Sequence, residues 1–279
     1  MTDKPAINTV ISGFGLIHPA GSAEKLLCGS SCDNLEEKDS IDMVSALADY
    51  FPRPSLRRLP AYVRIGLLAA VRALENAGQW PCPSSMPIVI GSAYCCQKTS
   101  FDFMDSILDF GPKLASPLSF SHAVNNMAAG LFSLMLKSTG SCMTVNNSQL
   151  SFAGALQTAI TMLDSGKADK VLVGAVDEFD SRFGGLFPHK KLIPSAAFFC
   201  LSNGAEGISI KLDWEDTDTS CASLEIDGRA VSLCSMGEED SLFQPLACAA
   251  FCSGDSISAR IVQTASEYGT AAVVRLKRA

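Results

Sequence analysis

The sequence predicts an α/β fold built as one domain, in which short buried strands alternate with helices. Three stretches carry that expectation. Pro87-Ile88-Val89-Ile90-Gly91-Ser92 is a continuous apolar run closed by glycine, as a strand covered on both faces requires. Lys170-Val171-Leu172-Val173-Gly174-Ala175-Val176-Asp177-Glu178 repeats the pattern and ends on an acidic corner. Between them, the apolar strand 143–145 meets a tight polar turn, and a helix follows with Phe152, Leu156, Ile160 and Leu163 at helical spacing.

Taken in order, residues 7–17 read as a strand ending in Gly13-Phe14-Gly15, with His18 in the loop before Pro19-Ala20-Gly21. A lone loop histidine carries no chemistry by itself. Residues 29–50 are of mixed charge (Asp33, Glu36, Glu37, Lys38, Asp39, Asp42) and read as a surface loop. The basic run holding Arg53, Arg57 and Arg58 leads into an amphipathic helix over 61–77, with Val63, Leu67, Ala70, Val71 and Leu74 on one face and Gly78 at its end. The arginines are either a solvated helix start or a contact patch for an acidic partner. Phe101, Met104, Ile107 and Leu108 share one face of a further helix that stops near Gly111. In the last part of the chain, 195–202 reads as an apolar strand with 208–212 paired beside it. A polar stretch (213–223), a strand pair (224–233), a helix (256–267) and a strand (271–276) complete the reading. No internal repeat, low-complexity tract or linker is visible.

Hydrophobic residues make up 47% of the 279 and charged residues 18%. A large core or an obligate subunit interface would each use that surplus. A formal charge of −7 argues against a general nucleic-acid binder. No stretch reaches membrane-spanning length, and Met1-Thr2-Asp3-Lys4-Pro5 lacks the apolar core of a secretory signal, so the expected location is cytoplasmic. The eleven cysteines form no Cys-x-x-Cys and no zinc-like grouping with the three histidines. Cys28/Cys32 and Cys248/Cys252 share i, i+4 spacing but lack ligands of other types. Reduced core thiols, with no metal and no cofactor, are the expectation.

Strand, sharp turn and helix is how several α/β enzymes present a nucleophile above a helix N-terminus. Here the projected residue is Ser148 or Gln149, and no Cys, His, Asp or Glu lies in the turn. A Ser148 hydrolase finds no support, because no Gly-x-Ser-x-Gly surrounds it and the only histidines are His18, His122 and His189.

Thr144-Val145-Asn146-Asn147-Ser148-Gln149 resembles the Thr-Val-Asp-Thr-Ala-Cys turn of β-ketoacyl synthases in the thiolase superfamily. Ser116-Pro117 followed by Asn126-Met127-Ala128-Ala129-Gly130 matches a second element of that family at the right spacing. The glycine-closed strand 87–92, Gly174-Ala175-Val176-Asp177 and the strand 195–202 also agree. The match spans roughly 7–212. Beyond it, the His-Gly-Thr-Gly-Thr and Gly-His-Thr-x-Gly elements that supply the family's two catalytic histidines are missing, with Cys252 to Ala259 at most a worn remnant of the second.

The resemblance implies a thiolase-like, layered αβαβα fold with a truncated second half: one domain over 1–279, its first half about 6–212 and its reduced second half about 213–279. It places Gln149 where the family carries its acyl-accepting cysteine. That replacement marks chain-length factors, the non-acylated partners of ketosynthases in type II polyketide systems, and also decarboxylating loading ketosynthases. The chain is similar to the short ketosynthase-like proteins of aryl-polyene and anthraquinone-type systems. A carboxamide is no nucleophile, so the implied role is non-catalytic: pairing with an active ketosynthase as a heterodimer and shaping its acyl tunnel. A loading-type decarboxylase and a free-standing acyl-binding scaffold are the alternatives. The resemblance assigns Cys142, Met143, Thr144, Val145, Asn126 and Met127 to the interface, and Leu118, Phe120 and His122 to the tunnel wall. It assigns Arg53, Arg57 and Arg58 to contact with an acyl carrier protein or the partner subunit. Gln149 is expected to be buried with its amide on turn backbone. Phe120 either walls the partner's tunnel or packs in its own core.

Overall fold

The computed structural model describes residues 8–19, 26–27, 42–177, 182, 194–217, 221–233, 240–265 and 269–278. His189, Cys28, Cys32 and Glu178, with most of the expected loop at 29–50, lie outside them.

β1 (Thr9–Ile17) is followed by α1 (Met43–Leu47), α2 (Arg53–Leu56) and the long helix α3 (Ala61–Asn76). The Asp42 carboxylate starts α1 by accepting from the amides of Val44 and Ser45 at 3.1 and 3.2 Å. α3 lies tight on β1: a Cβ on Gly15 would sit 2.1 Å from the Ala69 carbonyl oxygen, so only glycine allows the approach. β2 (Ile88–Gly91) then leads to α4 (Gln97–Phe110), a 3-10 turn (Pro112–Leu114), α5 (Pro117–His122) and α6 (Met127–Leu136). Ser116 is extended before Pro117, and its hydroxyl caps α5 by accepting from the Ser119 amide at 3.2 Å. β3 (Cys142–Val145), α7 (Ser151–Asp164), β4 (Lys170–Asp177) and β5 (Ser195–Asn203) complete the first group of strands.

The second group is β6 (Ile208–Asp216), β7 (Ala222–Ile226), β8 (Arg229–Val231), the helix α8 (Phe243–Ser253), β9 (Ser258–Ala265) and β10 (Thr270–Arg278). All ten strands join in the order β3-β2-β4-β5-β1-β6-β10-β9-β7-β8. No repeat is visible in the sequence, yet the strand order repeats. Read outward from the seam, each group runs first, fifth, fourth, second, third. The seam itself is short, two residue pairs between β1 and β6. The directions do not repeat: β2 runs parallel to β3 and β4, whereas β7 is antiparallel to β8 and β9. The long helical crossover between β2 and β3 has become a two-residue hairpin, Asp227-Gly228, both with positive φ as such turns require.

Two cores follow from the alternation of side chains. Val171, Val173, Phe199 and Leu201 face α7 and α8, together with Ile261 and Val274 from the second group. Leu172, Val176, Phe198 and Cys200 face α3 and α6 on the other side. α7 and α8 are therefore sandwiched between the two strand groups. α3 and α6 form the outer layer over the first. The matching outer face of the second group carries Lys211, Asp213, Glu215, Arg260 and Arg275, all at least partly exposed, around a small buried cluster of Val262, Ala271 and Val273. Arg275 pairs there with Asp213 and Glu215, and Arg260 with Glu215.

Two expectations are corrected. The 256–267 segment is the strand β9, not a helix: Ala259, Ile261 and Gln263 alternate inward, and the buried Gln263 amide donates to the Asp240 carbonyl at 2.6 Å. The helix is instead α8, buried from Phe243 to Cys252 on every side and so without an amphipathic period. β6 pairs with β1 and β10, because β1 occupies the place beside β5.

Candidate functional site

The turn between β3 and α7 sits where the C-terminal ends of β2, β3 and β4 converge. Gly91 brings α7 there, since a Cβ on it would lie 2.6 Å from the Ser151 carbonyl oxygen. The turn is held by its own polar groups. Ser151 Oγ donates to the Ser148 carbonyl at 2.6 Å and accepts from the Asn147 amide at 2.9 Å. Asn146 Nδ2 donates to the Ala93 carbonyl at 3.1 Å and reaches Cys95 Sγ at 3.4 Å. Ser148 is the left-handed residue, with φ of 48°, and its hydroxyl donates to Gln149 Oε1 at 2.6 Å. Gln149 is thus half-buried, its carboxamide oxygen held by a side chain rather than by turn backbone as expected.

Beneath the turn lies a constellation that the sequence marked only as an acidic corner. Asp177, 6% exposed at the end of β4, accepts from Ser92 Oγ at 2.6 Å, the Tyr94 amide at 2.9 Å and Ser241 Oγ at 2.5 Å. Burial pushes its carboxyl above the ordinary range, and these bonds pull it partly back. Ser92 also accepts from the Cys95 amide, and its own amide donates to the Val145 carbonyl, both near 3.0 Å. The latch ties β2, β3 and β4 to the start of α8. Its partners are 85 and 64 residues from Asp177, which is why no local motif revealed them.

Among the described residues, no histidine or carboxylate is hydrogen-bonded to the Ser148 or Gln149 side chain. Cys95 is buried, and burial pushes its thiol up, away from a thiolate. His18 is buried at the end of β1, and desolvation lowers its pKa to about 4, so it is neutral at pH 7. All eight described cysteines are free, and no described group of side chains forms a metal site.

The other expected site residues fall into two places. Cys142, Met143, Thr144 and Val145 form β3, the outermost strand, paired with β2 alone. Asn126 is exposed and Met127 half-buried at the start of α6. Leu118 and Phe120 stand 60% and 61% exposed on α5, with the Phe120 ring 5.6 Å from that of Phe103, and His122 is half-buried. Phe120 is therefore no core residue. Of the eleven large exposed hydrophobics among the described residues, nine lie from Met104 to Met143. α4 buries none of its residues despite its apolar stripe. Arg53, Arg57 and Arg58 are exposed on and just after α2, which is anchored by Leu56 and Leu59.

The model of the β-ketoacyl synthase N-terminal domain matches residues 38–262, which include the turn, the latch and α8. The chain belongs to this β-ketoacyl synthase family. Its fold is shared by solved structures of low sequence identity. A ketosynthase in complex with its chain length factor from Xenorhabdus doucetiae is 17% identical with a TM-score of 0.67, covering 98% of this chain and 100% of that one. The ishigamide ketosynthase/chain length factor is 15% identical with a TM-score of 0.72, covering 97% and 99%. A β-ketoacyl synthase from Burkholderia phymatum is 13% identical with a TM-score of 0.67, covering 98% and 100%.

Proposed function

We propose that the chain is a non-catalytic chain-length-factor subunit of a type II polyketide synthase, paired with an active ketosynthase whose acyl tunnel it shapes. The observation that carries this is the coincidence of a bare edge strand, β3, with the exposed apolar surface from Met104 to Met143. A free edge and an apolar patch together are a liability unless a partner covers them. The carboxamide at 149 agrees, because it cannot hold an acyl chain, and the family's two histidine motifs have no counterpart.

In this reading β3, Asn126 and Met127 meet the ketosynthase, burying more than about 2,000 Å² in total as obligate interfaces do. Leu118, Phe120 and His122 reach the partner's tunnel and set where the growing chain stops. Acyl carrier protein is met through the complex, with Arg53, Arg57 and Arg58 as its contact patch, in the cytoplasm. The whole of 1–279 acts as one domain. Co-expression with candidate ketosynthases, followed by size and product determination, is the test. A stable heterodimer whose products change length with the tunnel residues is expected. A chain that stays monomeric beside every candidate, or that decarboxylates malonyl carrier protein alone, would overturn the assignment.

A further inference from the structure

The outer face of the second strand group, beside the buried Val262, Ala271 and Val273, holds an unusual charge arrangement. The register sets Lys211 of β6 opposite Arg275 of β10, and Arg275 opposite Arg260 of β9, so three cations form one row across the sheet. Like charges directly opposite one another cost stability. Asp213 and Glu215 neutralise the two arginines from the next rows. Lys211 and Lys277 make no ion pair with any described carboxylate, and both are exposed. Together with Arg275 they rim an open groove of about 390 Å³ over Val10 and Leu276, whose lining contains no acidic residue. The chain as a whole carries −7, so this cationic groove runs against its net charge.

We propose that the groove docks an acidic protein surface, a helix or loop with clustered carboxylates, across the exposed lysines of β6 and β10. The groove is open and its cations sit on long solvated stems, which suits a spread of surface carboxylates rather than one small anion. Four strands, β2, β4, β5 and β1, lie between β3 and β6 in the sheet, so this surface is independent of the subunit pairing proposed above.

The test uses the full chain and a fluorescent helical peptide bearing glutamates on one face, followed by anisotropy at low and physiological salt. Binding that weakens with salt, and about tenfold in the Lys211→Glu/Lys277→Glu variant with unchanged melting, is the expected result. Ser209→Glu, which sets a carboxylate opposite Lys277, should reproduce the loss if the double variant folds poorly. No binding, equal binding by the variants, or equal binding of a lysine-bearing peptide would overturn the proposal. So would displacement of the peptide by equimolar inorganic phosphate, or tighter binding of phosphatidylserine vesicles through the same lysines.

Discussion

Phe120→Ala separates a residue that waits for a partner from one that serves its own chain. A phenylalanine side chain offers about 200 Å² for burial. At 61% exposed, Phe120 keeps only about 80 Å² of that covered, largely against Phe103, worth about 2 kcal/mol at 25 cal/mol per Å². Some 120 Å² stays open, worth about 3 kcal/mol if a partner covers it. Truncation should therefore lower the stability of the isolated chain by no more than about 2 kcal/mol. The affinity for the ketosynthase should fall about a hundredfold, and the surviving complex should make longer products. Denaturant unfolding of the free chain, titration of the complex and mass analysis of products measure the three quantities. A loss above about 4 kcal/mol in the free chain with unchanged affinity and products is the core-packing outcome, and it would refute the reasoning.

Acid should destabilise the protein through His18. Its folded pKa of about 4 lies below the ordinary 6.5, so its contribution is full above pH 6.5 and is lost as pH falls toward 4, by about 3 kcal/mol. His18→Gln should flatten urea midpoints across that window. Asp177 runs the other way: its raised carboxyl adds stability at low pH that is lost as pH rises through its folded pKa. Asp177→Asn keeps the Ser92 and Tyr94 bonds at its oxygen and lets Ser241 turn to accept from its NH2, so the protein should stay folded, with a steeper acid loss. A parallel pH profile in either variant would count against these assignments. Gly91→Ala should cost about 1–3 kcal/mol by forcing α7 away from β2, read as a lowered melting temperature. Gln149→Cys should yield no condensation, and an acylated cysteine that turns over, seen by intact-mass analysis, would contradict the non-catalytic assignment.

The parts of the molecule that were legible in the sequence are those whose burial is two-sided and local. β2 and β4 announce themselves as unbroken apolar runs, and the turn at 146–151 is bracketed by a strand and an amphipathic helix. α8 was hidden because a helix covered on every side has no polar stripe to set its period. β9 misled because Gln263 is buried, giving a polar residue at an inward position. For α4, the apolar stripe was visible but not its setting: Met104 and Leu108 stay 52% and 78% exposed. The latch was beyond reach for a different reason. Ser92, Asp177 and Ser241 are ordinary residues in three separate segments, and only the convergence of strand ends makes them one network.

The hairpins of the second strand group bear on how the molecule is made. β7 closes on β8 across two residues, and β9 closes on β10 with Ala265 opposite Thr270, so these ladders pair neighbours in the chain. β1 is the opposite case: Ser12 meets the Cys200 carbonyl 188 residues away. Hairpins form in about 1–10 μs, whereas pairings of that range slow folding steeply. β1 is therefore expected to dock late, entering between β5 and β6, which would make the centre of the sheet, rather than its edges, the closing step of folding.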